Sequence, residues 1–314
     1  MDIEYLLFLQ NFRNSINDAL TPFMEAISFF AINYIILLPA FLYWCIDKRK
    51  GLFVFFAMKI SHLINAVVKL TACVYRPWIR DARVLPAGNA IETATGYSFP
   101  SGHTMMLVPI YGSLAIFTKK RKLLCSLFIF AAVLTMFSRN YLGVHTPQDV
   151  LVGCVLGILA IYITSRVFKY IEAYPEKENK VMAVIFILAL AGLLYVNLKS
   201  YPMDYVNGKL LVDPNKMTVD AWGDIGGLMA LIVMCYIEKR FVKFSVTGLN
   251  PKGVMLGLIG LIPLAFMIYG LKPIIVSFTG AHLGRMIYET MLTFYIIVLW
   301  PAVLKMFAGG KEKV

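Results

Sequence analysis

The sequence predicts an all-α fold, a polytopic helical membrane protein with about nine transmembrane helices. Three observations carry this. Of the 314 residues 59% are apolar and only 15% charged, against roughly 45–50% and about 25% in soluble domains. Nine stretches approach the length of about 20 mostly apolar residues that crosses a bilayer. Lysine and arginine gather in alternate connections between those stretches, as they do where loops face the cytoplasm.

Taken in order, the chain opens with residues 3–20, which place Leu6, Leu7, Leu9, Phe12 and Ile16 on one face. That pattern predicts an interfacial helix lying along the membrane surface. The apolar stretches fall at 21–45, 51–74, 102–118, 122–138, 149–168, 181–198, 219–238, 253–271 and 286–307. Basic groups lie at Lys48–Lys50, Lys119–Lys122, Arg166–Lys180, Lys239–Lys252 and Lys305–Lys313, together 18 of the 30 Lys and Arg residues. The positive-inside rule puts all five in the cytoplasm and leaves the loops 75–101 and 139–148 on the outside. The net charge of +12 therefore reports orientation, and no nucleic-acid partner is expected. Five cysteines (Cys45, Cys73, Cys125, Cys154 and Cys235) show no paired spacing, so neither a disulfide framework nor a zinc site is expected. Two functional parts follow: residues 1–170, with the interfacial helix and all the unusual polar chemistry, and residues 171–314, additional spans of unassigned role.

Both outward loops carry motifs. Lys69 is followed after six residues by Arg76-Pro77; Pro100-Ser101-Gly102-His103 enters the third stretch; Ser138-Arg139 is followed by His145 and then Asp149. This is the chemistry of a phosphate site. Lys69, Arg76 and Arg139 supply three cations, two of them guanidinium forks matched to phosphate oxygens. Ser101 suits the N-cap of the incoming helix, and Gly102 lets backbone N–H groups approach an anion held at the helix N-terminus. Thr146 suits a second N-cap, with Pro147 at the first helical position and Asp149 in the first turn, within reach of the His145 ring. Two histidines facing a phosphate predict a nucleophile and an acid. Neutral His145, oriented by Asp149, attacks phosphorus, and protonated His103 serves the departing oxygen. The three cations neutralise the transferring group, so no metal and no other cofactor is expected.

These three motifs resemble those of the type 2 phosphatidic acid phosphatase superfamily of lipid phosphate phosphatases, over about residues 50–165. The resemblance implies a transmembrane phosphatase core working through a covalent phosphohistidine without metal. It implies His145 as nucleophile, Asp149 as its orienting partner and His103 as acid, with phosphate contacts from Lys69, Arg76, Ser101, Gly102 and Arg139. The partners expected are a lipid phosphate substrate and membrane lipids. The substrate could be phosphatidate, a sphingoid base phosphate, phosphatidylglycerophosphate or undecaprenyl diphosphate, cleaved at the extracytoplasmic face. A phosphotransferase or sugar-phosphate phosphatase using the same site is the nearest alternative, and a lipid or solute transporter the non-enzymatic one.

Other polar residues receive plainer readings. His62 and Lys59 suit polar packing between helices. Asp220 and Asp224 share a helix face at the outer end of the seventh stretch and suit capping and dipole complementarity, with headgroup selection or cation binding as the second reading. Arg285 and Glu289 suit an interfacial pair. Arg80 and Arg83 extend the basic outer loop, to steer anions or as solvated surface, and His282 carries no motif.

Overall fold

The computed structural model describes residues 2–308 apart from 93 and 95; Lys311 and Lys313 of the last basic group lie outside the described residues. Four long helices begin on one kind of local signal, a short polar side chain that accepts from the backbone of the first turn. Asp47 caps α4 (Lys48–Ala72) through the Lys50 amide, and Thr146 caps α8 (Pro147–Ala173). Asp213 caps α10 (Pro214–Ile237), and Asn250 caps α11 (Pro251–Phe266). In three of these a proline follows directly, where its missing N–H costs nothing.

The remaining α-helices are α1 (Asp2–Ser15), α2 (Thr21–Asn33), α3 (Leu37–Phe41), α5 (Pro77–Arg80), α6 (Gly102–Phe117), α7 (Lys122–Tyr141), α9 (Glu178–Leu198), α12 (Lys272–Thr279), α13 (Ala281–Phe294) and α14 (Trp300–Ala308), with short π- and 3-10-helical turns joining several of them. A two-residue hairpin, β1 (Tyr205–Val206) with β2 (Lys209–Leu210), interrupts the helices. All nine apolar stretches are helical, but the expected count of nine spans is not reached on length and composition. Among the described residues six helices are long and apolar enough to cross a membrane, or seven if the bent pair Thr21–Asn33 and Leu37–Ile46 is one span. The helix α6 is apolar but shorter.

The central element is α4, which packs against α6, α8 and α10. Two glycines let α8 approach α6 closely, as small residues at four-residue spacing do between membrane helices. A Cβ on Gly157 would lie 2.9 Å from Val108, and one on Gly153 would lie 3.2 Å from Thr104. That contact holds the start of α8 beside the start of α6, where two of the motifs sit.

The basic loops converge at the other end of the bundle. Lys48 pairs with Glu238 at 2.6 Å, Arg49 pairs with Glu172 at 2.6 Å, and Lys305 donates to the Val242 carbonyl. Along α4, Lys48 and Lys69 are separated by about 30 Å at 1.5 Å per residue, the depth of a bilayer core.

The N-terminal helix is more than a surface float. Leu6 and Leu9 are buried while Phe12 is exposed, and α1 ends before Ile16. Buried Arg13 donates to the Leu85 and Tyr141 carbonyls. Arg80 pairs with Asp2 and Arg83 with Glu4, so these two arginines tie the outer loop to α1.

Candidate active site

At the end of the bundle opposite the basic loops, the three motifs meet on one cavity of ≈ 380 Å³. Lys69, Arg76, Gly102, His103 and His145 line it. Asp149, Ser101 and Arg139 stand immediately behind that wall, in contact with or adjacent to His145 and Gly102.

The start of α8 fixes the histidine. Thr146 and Asp149 form a reciprocal capping box, in which the Thr146 amide donates to Asp149 Oδ2 at 2.8 Å. This is the arrangement expected from the sequence, and it leaves the carboxylate 3.4 Å from His145 Nδ1. A third donor, the Ser98 hydroxyl, reaches the same oxygen at 2.5 Å and lies 3.5 Å from Nδ1. On the far side of the ring Arg76 donates to Nε2 at 2.9 Å. With a donor at Nε2 and a carboxylate at Nδ1, the partners assign the neutral tautomer carrying its proton on Nδ1. Burial first, then the charges of Arg76, Arg139 and Lys69, push the His145 ring well below the ordinary imidazole range, against the opposing contact with Ser98. The lone pair on Nε2 is therefore available at neutral pH.

His103 is in the first turn of α6, and its buried Nε2 has no hydrogen-bond partner among the described residues. Lys69 extends from α4 into the loop before α6 and donates to the carbonyls of Pro100 at 2.6 Å and Tyr97 at 3.2 Å. Arg76 also holds the carbonyls of Val144 and Gly96. Both cations thus brace the motif loops as well as facing the cavity.

Two expectations need correction in detail. Ser101 occupies the N-cap position of α6, but its hydroxyl does not cap the helix; it is buried and has no partner among the described residues, while its amide donates to the Asp149 carbonyl at 2.9 Å. Arg139 does not line the cavity. Its Nη1 donates to the Ser28 hydroxyl, and among the described residues Nε and Nη2, both buried, have no hydrogen-bond partner. Its carbonyl accepts the His145 amide. A side chain on Gly102 would have open space before it, with Asn65 Nδ2 3.9 Å away.

Ser98 and Asn140 were missed by sequence reasoning. Asn140 donates to the His145 carbonyl at 2.9 Å. Ser98 stands inside the motif-bearing stretch Tyr97–His103, which is the one signal that could have drawn attention to it.

A family model described as the PAP2 superfamily matches residues 50–173. An undecaprenyl-diphosphatase of Bacillus subtilis is 31% identical over 173 residues, 55% of this chain and 86% of that relative. The chain belongs to the PAP2 superfamily. Other PAP2 relatives include phosphatidylglycerophosphatase B of Bacillus subtilis, 29% identical over 158 residues, 48% of this chain and 73% of that protein. A lipid A 4'-phosphatase of Porphyromonas gingivalis is 28% identical over 189 residues, 54% of this chain and 76% of that protein. No solved structure matches the chain significantly. PAP2 membership and these relatives support a lipid phosphatase activity in a multi-pass membrane protein.

The PAP2 match ends where α8 ends, yet the cavity does not. Its opposite wall comes from α10, α12 and α13, with Asp220, Asp224, Lys272, Arg285 and Glu289. Asp220 and Asp224 therefore do not cap a helix. The cap of α10 is Asp213, and the two acids fall in its second and third turns. Asp224 lies 3.3 Å from His62 Nδ1, and Glu289 bridges Lys59 at 2.7 Å and Arg285 at 3.1 Å. The Arg285–Glu289 pair is mostly buried and faces the cavity. His282 contacts Thr218 at 2.9 Å and the Trp222 ring edge-on, away from the motifs. A larger cavity of ≈ 820 Å³, bordered by Arg49, Phe56, Phe168 and Met182, opens toward the basic end and carries none of the motif residues.

Proposed function

We propose that the chain hydrolyses lipid phosphate esters through a phosphohistidine formed on His145, at the extracytoplasmic face. The observation that carries this reading is the setting of one ring: Nδ1 beside Asp149, and a lone pair on Nε2 toward a cavity walled by cations.

In the first step the Nε2 lone pair attacks phosphorus in line, an N–P bond forms and the P–O bond to the lipid alcohol breaks. The Arg76 guanidinium gives up its contact with Nε2 and takes an equatorial phosphate oxygen. Lys69 adds positive charge around the same group, and Arg139 does so at longer range from behind the cavity wall, which phosphoryl transfer requires more than any covalent help. The amides of the first turn of α6 are donors for the remaining oxygens. His103 protonates the departing alkoxide from Nε2. In the second step water gives its proton to His103 and attacks phosphorus, releasing phosphate and restoring His145. Asp149 stabilises the positive ring in the intermediate. The extracytoplasmic placement rests on charge: the basic loops gather about 30 Å away along α4.

The test is phosphate release from a lipid phosphate by purified protein in detergent, with and without His145→Ala. Loss of turnover by at least about 10⁴-fold is expected, together with loss of a base-stable, acid-labile phosphoryl label that the unchanged protein acquires. A variant that still turns over at an appreciable fraction of the normal rate removes His145 from the role.

A further inference from the structure

The second wall of the cavity is built by helices outside the family match, and it is polar. Along α4, Lys59, His62, Asn65 and Lys69 recur at three- and four-residue spacing, so one stripe runs from the phosphate site into the bundle. Opposite it stand Asp220 and Asp224 on α10, Lys272 in the first turn of α12, and Arg285 and Glu289 on α13. Ionisable groups at this depth are costly without a use. Part of the cluster closes on itself, since Glu289 holds Lys59 and Arg285, and Asp224 holds His62. Part does not. Among the described residues Asp220 and Lys272 make no hydrogen bond or ion pair, and Asn65, only 9% exposed, and Arg285 each keep a buried polar atom (Oδ1 and Nε) with no hydrogen-bond partner.

The sign of this wall narrows what can face it. Lys59, Lys272 and Arg285 balance Asp220, Asp224 and Glu289. A second phosphate would meet the free carboxylate of Asp220, and an ammonium would meet the free Lys272; each charge is repelled by one of the two. A hydroxyl donates to Asp220 and accepts from Lys272 or Arg285 Nε, so it satisfies both signs at once. We propose that Asp220, Lys272, Asn65 and Arg285 form a leaving-group subsite for an uncharged, hydroxyl-bearing alcohol, making the preferred substrate a phosphomonoester on a polyol-bearing lipid. This rests on the phosphatase reading above and adds to it the C-terminal half as the part that selects.

The test uses full-length protein in detergent and four probes of matched chain length: the 6-phosphate of glucosyldiacylglycerol, whose leaving alcohol is an uncharged polyol, phosphatidate, sphinganine phosphate and a prenyl diphosphate. The sugar-bearing monoester is expected to show the highest kcat/KM. Both Asp220→Asn and Lys272→Gln are expected to lower its advantage over phosphatidate, by about tenfold or more for Asp220→Asn, as when a site built for a hydroxyl loses its partner. For a charged leaving group the two variants act with opposite signs: neutralising Asp220 speeds a diphosphate and slows an ammonium, and neutralising Lys272 does the reverse. Opposite signs on the preferred substrate overturn the proposal. Equal changes across all four probes also overturn it, because a merely structural role produces that result. If the unchanged protein releases phosphate from none of the probes, the phosphatase reading falls and the subsite with it. If it releases phosphate from all at similar rates, only the subsite falls.

Discussion

Replacing Asp149 with asparagine separates its two jobs. Three donors meet on Asp149 Oδ2: the Ser98 hydroxyl at 2.5 Å, the Thr146 amide at 2.8 Å and His145 Nδ1 at 3.4 Å. An amide oxygen in the same place keeps an acceptor for all three, so the capping box and the ring tautomer persist. What disappears is the negative charge. In the phosphohistidine the ring is cationic, and opposite charges 3.4 Å apart attract by about 5 kcal/mol at an effective dielectric of 20. The amide dipole retains part of this. A loss of about 3–4 kcal/mol remains, or 10²- to 10³-fold in kcat at 1.36 kcal/mol per decade. Folding should lose only about 1 kcal/mol, from the two hydrogen bonds of Ser98 and Thr146, which are no longer charge-assisted, and a weaker contact with His145. Initial rates of phosphate release give kcat and KM, and unfolding followed by tryptophan fluorescence gives the stability. A fall in kcat of less than tenfold, or a defect confined to KM, would reduce Asp149 to a helix cap with no part in the chemistry.

Other outcomes follow from the same contacts. Ser98→Ala removes a buried donor from Asp149, so stability should fall by about 1.5–3 kcal/mol and kcat should fall less than in Asp149→Asn; a variant with normal kcat would show that Thr146 alone holds the carboxylate. Gly157→Val forces α8 away from Val108, 2.9 Å from where the new Cβ would lie, and should lower Tm by an amount equivalent to about 1–3 kcal/mol along with activity, with Gly157→Ala milder; an unchanged Tm in the valine variant would refute the close α6–α8 contact. His145 is held neutral in the fold, its ring well below the ordinary value of 6.5, whereas the unfolded chain takes up a proton at that value. The unfolded state therefore binds more protons on the acid side, and this group's contribution is complete above pH 6.5 and lost as the pH falls, by up to about 1.4 kcal/mol per pH unit. His145→Gln should flatten the fall in Tm between pH 6.5 and 5; equal slopes in the two proteins would mean that His145 titrates normally in the fold.

Much of this protein was legible without coordinates, where the determinants are local. Apolar length, the basic loops and the Thr146-Pro147 helix start are read directly from the sequence, and the caps Asp47, Asp213 and Asn250 that the structure adds act through equally short-range bonds. The three phosphate motifs are local in the same sense, and the capping box that turns Asp149 toward His145 follows from four consecutive residues. The tertiary structure decided what depends on partners far away in the chain. It withdrew the Ser101 hydroxyl from its cap, set Arg139 behind the cavity against Ser28, and aimed Ser98 at a carboxylate 51 positions later. It also turned Asp220, Asp224, Arg285 and Glu289 from ordinary helix-end and surface charges into a wall facing the phosphate site. Helical periodicity tells which side chains share a face, but not which helix that face meets. That choice is made by packing, in which α10 lies against α4 and α13, with Gly226 and Gly227 admitting Met286 and Lys59 at distances no larger residue would allow.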